Sequence, residues 1–139
     1  MSFHHFTDRR QAARECRRVL REGGTLFVRT GTREQIPSYP YVSFFPSSAA
    51  LIEETLPDRS GHCQPFEAAG FHLKGAELVT QTIAPDWDTY ADKLAAGGDS
   101  VLSRLSPEEF ESGLAAVRRH ARAAAKRPIM EPIDLFVFR

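Results

Sequence analysis

The run RECRRVLREGGTLFVRT, Arg14 to Thr30, limits what this chain can fold into more than any other stretch. Upstream and through it, Ala12, Ala13, Cys16, Val19 and Leu20 recur at helical spacing. Thr7 is the predicted N-cap and Gly23-Gly24 the C-terminal stop. Thr25 to Thr30 follows at once and is nearly continuously apolar at its centre, which predicts a strand covered on both faces. A helix delivered through two glycines into such a strand is an α/β unit. The double glycine is a helix cap and not a phosphate loop, because a GxGxxG turn needs the strand before it and the helix after it.

The 139 residues amount to about one domain, and 42% hydrophobic content with ten Phe is enough to bury one core. Lys+Arg and Asp+Glu both number 18, so no net field steers the chain toward nucleic acid or an anionic membrane. The two cysteines, Cys16 and Cys63, are too few for a disulfide scaffold and lack CxxC spacing, which predicts a reducing, cytoplasmic home. No apolar signal segment opens the chain, and no stretch nears the ~18 apolar residues of a membrane span.

Past Thr30, Pro37, Pro40 and Pro46 among Tyr39, Tyr41, Phe44 and Phe45 predict a rigid aromatic loop. A short helix from Ser47 or Ser48 to about Leu56 follows, then a second over Ser60 to Ala69 with Pro65 as a kink and Gly70 as its stop. Phe71 to Ile83 reads as a strand ended by Pro85. Trp87, Tyr90, Ala91 and Leu94 lie at helical spacing before Gly97-Gly98, and Val101, Leu102 and Leu105 suit a short helical turn. Ser106-Pro107-Glu108-Glu109 is a capping box opening a helix to about Lys126. Ile133 to Phe138 is the last strand.

Candidate chemistry is sparse. Adjacent His4 and His5 point to opposite faces of a strand, or about 100° apart on a helix, so they do not chelate one ion without partners from elsewhere. His62-Cys63 is likewise adjacent, there is no HxxxH, HExxH or paired CxxC, and no metal site is predicted. No GxSxG elbow marks a hydrolase. The arginines at 10, 14, 17, 18 and 21, and the basic run Arg118, Arg119, Arg122 and Lys126, suit solvated helix faces without interleaved aromatic platforms, so nucleic acid is not expected.

The order HHF-TD-RRQAARECRRVLREGGTLFVRT resembles the middle of the class I S-adenosylmethionine-dependent methyltransferases, where a His-rich or aromatic stretch after the fourth strand precedes a helix ending R-V-L-x-x-G-G. LPDRSGHCQPFEAAGFHL is similar to that family's approach to A-G-F before the sixth strand. Residues 86–127 are similar to the helical insertion of its small-molecule branch, and IDLFVF to its seventh strand. The resemblance covers the chain but only the second half of the family's domain. It implies an α/β fold: the C-terminal half of a Rossmann-like domain, a small three-stranded mixed sheet with flanking helices, residues 1–139 forming one partial domain. The last strand should be central, with the second antiparallel to it.

The resemblance further implies that Phe3, His4 and His5 line the cofactor and substrate cleft, with Phe3 and His4 beside S-adenosylmethionine. His4 or His5 would orient an acceptor or take its proton. Arg29, Thr30, Tyr39 and Tyr41 map to the substrate side, where loop packing and solvation explain them equally well. The glycine-rich turn and acidic residue that hold the cofactor in this family are not matched in these residues. The chain by itself is therefore expected to bind S-adenosylmethionine weakly or not at all, and to be inactive alone. The alternative expectation is a non-catalytic, self-associating or partner-binding module, a homodimer through the Thr25 to Thr30 edge or the uncovered apolar face.

Overall fold

The structure, a computed structural model, describes residues 3–139, with the backbone alone described at His4. After a 3-10 turn at Phe3–His5 come α1 (Arg9–Val19), β1 (Leu26–Thr30), a 3-10 segment (Arg33–Ser38), α2 (Ser48–Thr55), α3 (Arg59–Ala68) and β2 (Leu73–Ala84). α4 (Trp87–Ala95), a 3-10 turn (Leu102–Arg104), α5 (Pro107–Ala123) and β3 (Ile129–Phe138) complete the order. β3 lies between β1 and β2. Leu26 pairs with Phe138 and Thr30 with Asp134, antiparallel, and His72 exchanges backbone hydrogen bonds of 2.6 and 3.0 Å with Arg139 as antiparallel neighbours do. The central last strand is the order that the resemblance implied, and the α/β class stands.

Local chemistry moved several boundaries. The N-cap of α1 is Asp8, not Thr7: its carboxylate accepts from the Gln11 N–H at 2.8 Å and also suits the positive end of the helix. α1 stops at Val19 with Leu20 already extended, so the glycines serve the turn and not the cap, Gly23 taking a φ of 70°. α3 starts one residue earlier than expected, capped by Asp58, and continues through Pro65. β3 begins at Ile129 and includes Pro132. The β1 ladder on β3 ends at Asp134, so the donor that Pro132 lacks costs no bond on that side.

The chain divides into two compact units, the first comprising residues up to Gln35 with Leu56–Val79 and Ile133–Arg139, the second Ile36–Thr55 with Thr80–Pro132. In the first, α1 packs on α3, and Ala13, Val28, Phe66, Phe71, Phe136 and Phe138 form the buried cluster. Phe66 stacks on Phe3 at 4.6 Å and meets Phe138 at 5.0 Å. Each such ring sealed from water contributes on the order of 1.5–3 kcal/mol. Only one face of β1 is covered. Val28 and Thr30 are buried while Phe27 is 63% exposed, correcting the expectation of a strand buried on both sides. Its continuous apolar run hid the alternation, since Phe27 faces away from α1 and α3.

In the second unit α4 packs on α5, and Phe45, Ile52, Tyr90, Leu94, Leu114 and Val117 are buried. Ser106 caps α5 as predicted, accepting from the Glu109 N–H at 3.2 Å. The Glu109 carboxylate accepts instead from the Ser47 N–H at 2.9 Å, so the box is used to tie a loop to the helix.

Candidate functional site

Phe3 is half-buried and faces Phe66, while His5 is exposed; the His4 side chain lies outside the described residues. Along α1 an open groove of about 500 Å³ runs between Phe3, Phe6, Gln11, Glu15, Cys16 and Val19.

At the end of β1 the first unit buries a polar cluster. Asp134, on the covered face of β3, is 2% exposed; one carboxylate oxygen accepts from the Thr32 hydroxyl at 2.6 Å and the other from Arg59 Nε at 2.9 Å. Glu34 accepts from the Arg59 backbone N–H at 3.0 and 3.2 Å. Burial pushes the Glu34 carboxyl up, but the Arg59 and Glu34 N–H groups, the Thr32 hydroxyl and the Arg59 charge together hold it below its ordinary value. Thr30 is buried, and its hydroxyl donates to the Gly31 carbonyl at 3.2 Å.

His62 is fully buried, and neither ring nitrogen makes a hydrogen bond. Burial, then the Arg9 charge, lowers its pKa; the Gly31 backbone pulls the other way without completing a bond, as do Asp134 and Glu34. Burial pushes the neighbouring Cys63 thiol up to about 11, which leaves it unreactive. With both Asp134 oxygens engaged and His62 sealed, the cluster clamps β3, α3 and the loop after β1 and presents no open base. Sequence reading passed over Thr32, Arg59 and Asp134. The one signal was Asp134 itself, a lone acid inside an apolar strand.

The second unit holds the more open site. Tyr39 and Tyr41 are buried with rings nearly parallel, 8° apart in plane and 6.1 Å between centroids. Burial, then Asp99 and Tyr90, raises the Tyr41 hydroxyl's pKa well above the ordinary phenol range, so it stays protonated. Tyr39, Trp87 and Met130 line an open cleft of about 760 Å³ together with Pro37, Pro40 and Arg127. Trp87 is fixed edge-on by Phe44 at 5.5 Å, Tyr90 at 5.7 Å and His120 at 4.7 Å.

Thus Tyr39 and Tyr41 come together in the second unit, whereas Arg29, exposed, and Thr30, buried, belong to the first. Among the described residues no group of three or more His, Cys, Asp or Glu could hold a metal, and no helix is long and apolar enough to cross a membrane.

Three strands with the last one central and antiparallel, flanked by helices, define a partial Rossmann-like α/β arrangement. Residues 1–28 of the 139 match a family profile described as a methyltransferase domain. The match spans the first 3-10 turn, α1 and the start of β1. No curated protein matches the chain at a significant level.

Proposed function

We propose that the chain is the substrate-side part of an S-adenosylmethionine-dependent methyltransferase acting on a small molecule. The carrying observation is the aromatic cleft of the second unit, in a chain whose first residues match a methyltransferase domain. Methyl transfer is an in-line displacement governed by positioning and exclusion of water, which fixed aromatic walls supply without a strong base. Tyr39 on the cleft wall would meet the acceptor. Buried Tyr41, seated against it, would hold it in place; the parts given to Arg29 and Thr30, and to His4 or His5 in orienting the acceptor or taking its proton, rest on the family resemblance alone.

The described residues do not assemble a fitting cofactor site. Both Asp134 oxygens and the Glu34 carboxylate are already engaged, and no strand runs through a glycine-rich turn into a helix. Weak binding of S-adenosylmethionine by the chain alone, with Phe3 and His4 as its contacts, is therefore part of the proposal. Titration calorimetry should give a dissociation constant weaker than about 100 μM, and labelled methyl transfer to a panel of small acceptors should require the family's cofactor-binding half to be supplied together with these residues. Micromolar binding by the isolated chain would overturn the half-domain reading.

A second reading, self-association, has its own observation. β1 is an edge strand with no partner on its outer side among the described residues, and Phe27 beside that edge is 63% exposed. A homodimer pairing two copies of Thr25 to Thr30 would show double mass in sedimentation at tens of micromolar, reduced to monomer mass by Phe27→Lys. A monomer throughout would remove this reading.

A further inference from the structure

We infer that the cleft of the second unit takes a small, flat organic anion, an aromatic carboxylate of one or two rings. The inference rests on the acceptor-side reading above for what becomes of the ligand, not for its binding. At about 760 Å³ the cleft is the size of sites that enclose drug-sized ligands. Its shape is set in advance. Pro37, Pro40 and Pro128 fix the local backbone and remove N–H donors from the wall. Tyr39 is seated against Tyr41, and Trp87 is fixed by three rings yet remains partly open. Rigid aromatic walls lose little freedom when a flat ligand arrives. Met130, 44% exposed with its sulfur accepting from the Thr82 hydroxyl at 3.3 Å, supplies the one adaptable apolar contact.

Charge then selects among flat ligands. Arg127 is the charged residue of the cleft wall among the described residues, and no carboxylate lines it. Of the acids adjoining the wall in sequence, Asp86 accepts from the Thr89 N–H at 2.8 Å, Glu131 accepts from the Gln81 amide at 2.8 Å, and Asp88 is exposed in the first turn of α4 and does not line the cleft. A guanidinium matches a carboxylate with two parallel N–H bonds and also stacks on aromatic planes. A ring against Trp87 and Tyr39 with its carboxylate toward Arg127 uses every distinctive group of the wall.

Trp87 is the single tryptophan of the chain, so its indole N–H gives one resonance that reports on this cleft alone. The full-length chain, without S-adenosylmethionine, would be titrated with 2-naphthoate, 2-naphthalenemethanol and 2-naphthylmethylamine. Naphthoate should shift the indole resonance saturably, binding about fivefold tighter than the alcohol, the size of one partly exposed charge pair. The amine should bind more weakly than the alcohol. Arg127→Gln should bring naphthoate down to the alcohol's affinity and leave the alcohol unchanged, which also shows the cleft intact. No saturable shift by naphthoate, an amine binding as well as naphthoate, or an unchanged Arg127→Gln would each overturn the inference. Absence of methyl transfer would count against the proposed function and leave this binding result standing.

Discussion

The two units use their less common residues in opposite ways. The first seals polar groups inside: Asp134, Thr32 and His62 are all within 2% of full burial, while its apolar Phe27 stands in solvent. The second buries no charged side chain among the described residues, only Ser48 and tyrosines, and leaves aromatic surface partly open around Trp87 and Met130. A carboxylate buried this deeply, each oxygen already accepting a bond from the chain, is closed to a ligand, so the first arrangement is scaffold. An aromatic wall with a cation at its edge is unspent, and there a small molecule can gain more than water gives it.

The sharpest way to break this contrast is through the core of the first unit. Phe66→Ala removes the ring shared by Phe3, Phe71 and Phe138 and should cost about 3–5 kcal/mol in urea denaturation. Arg59→Met should cost about 3 kcal/mol by leaving the Asp134 charge sealed with only Thr32. A loss under about 0.5 kcal/mol would mean the polar cluster is not scaffold and belongs among candidate binding sites. In the second unit Gly113→Ala should cost about 2 kcal/mol, because a new Cβ would strike the Phe45 ring and come within 2.9 Å of the Phe44 carbonyl oxygen.

The smallest effect is one of pH. The pKa of His62 is lowered in the fold, so the unfolded chain takes its proton more readily, near 6.5. Its neutral form therefore supports stability above that pH, and the support is lost as pH falls below it, at no more than about 1.4 kcal/mol per pH unit. Midpoints measured from pH 8 to 5 should decline accordingly and flatten over that range in His62→Leu; an equal slope in the variant would assign the effect to other groups.

What could be read from sequence was local or periodic. Ser106-Pro107 announced α5 because a cap acts within one turn, and the helix-to-strand passage at Gly23-Gly24 announced the α/β class. The Arg33–Ser38 3-10 segment was missed inside a stretch whose prolines suggested only a loop. Pro132 was excluded from β3 because its harmlessness depends on where a strand far away in the chain ends. Thr32 and Asp134 are 102 positions apart, and nothing nearby in sequence marks either as the other's partner. Tyr39 was legible as an aromatic loop residue, but the cleft it lines also needs Trp87 and Arg127, which only folding brings to it.

The strand order also has a consequence for synthesis. β3 sits at the centre of the sheet yet is the last of the three to leave the ribosome, and the bond from the Arg139 guanidinium to the Thr25 hydroxyl joins positions 114 apart. Until β3 emerges, β1 and β2 lack the strand that joins them among the described residues, and Phe27 and Leu78 stay exposed. A premature stop codon shortly before Ile129 would therefore not trim an edge from this sheet but remove its middle, leaving two strands that translation had already finished without the one that joins them among the described residues.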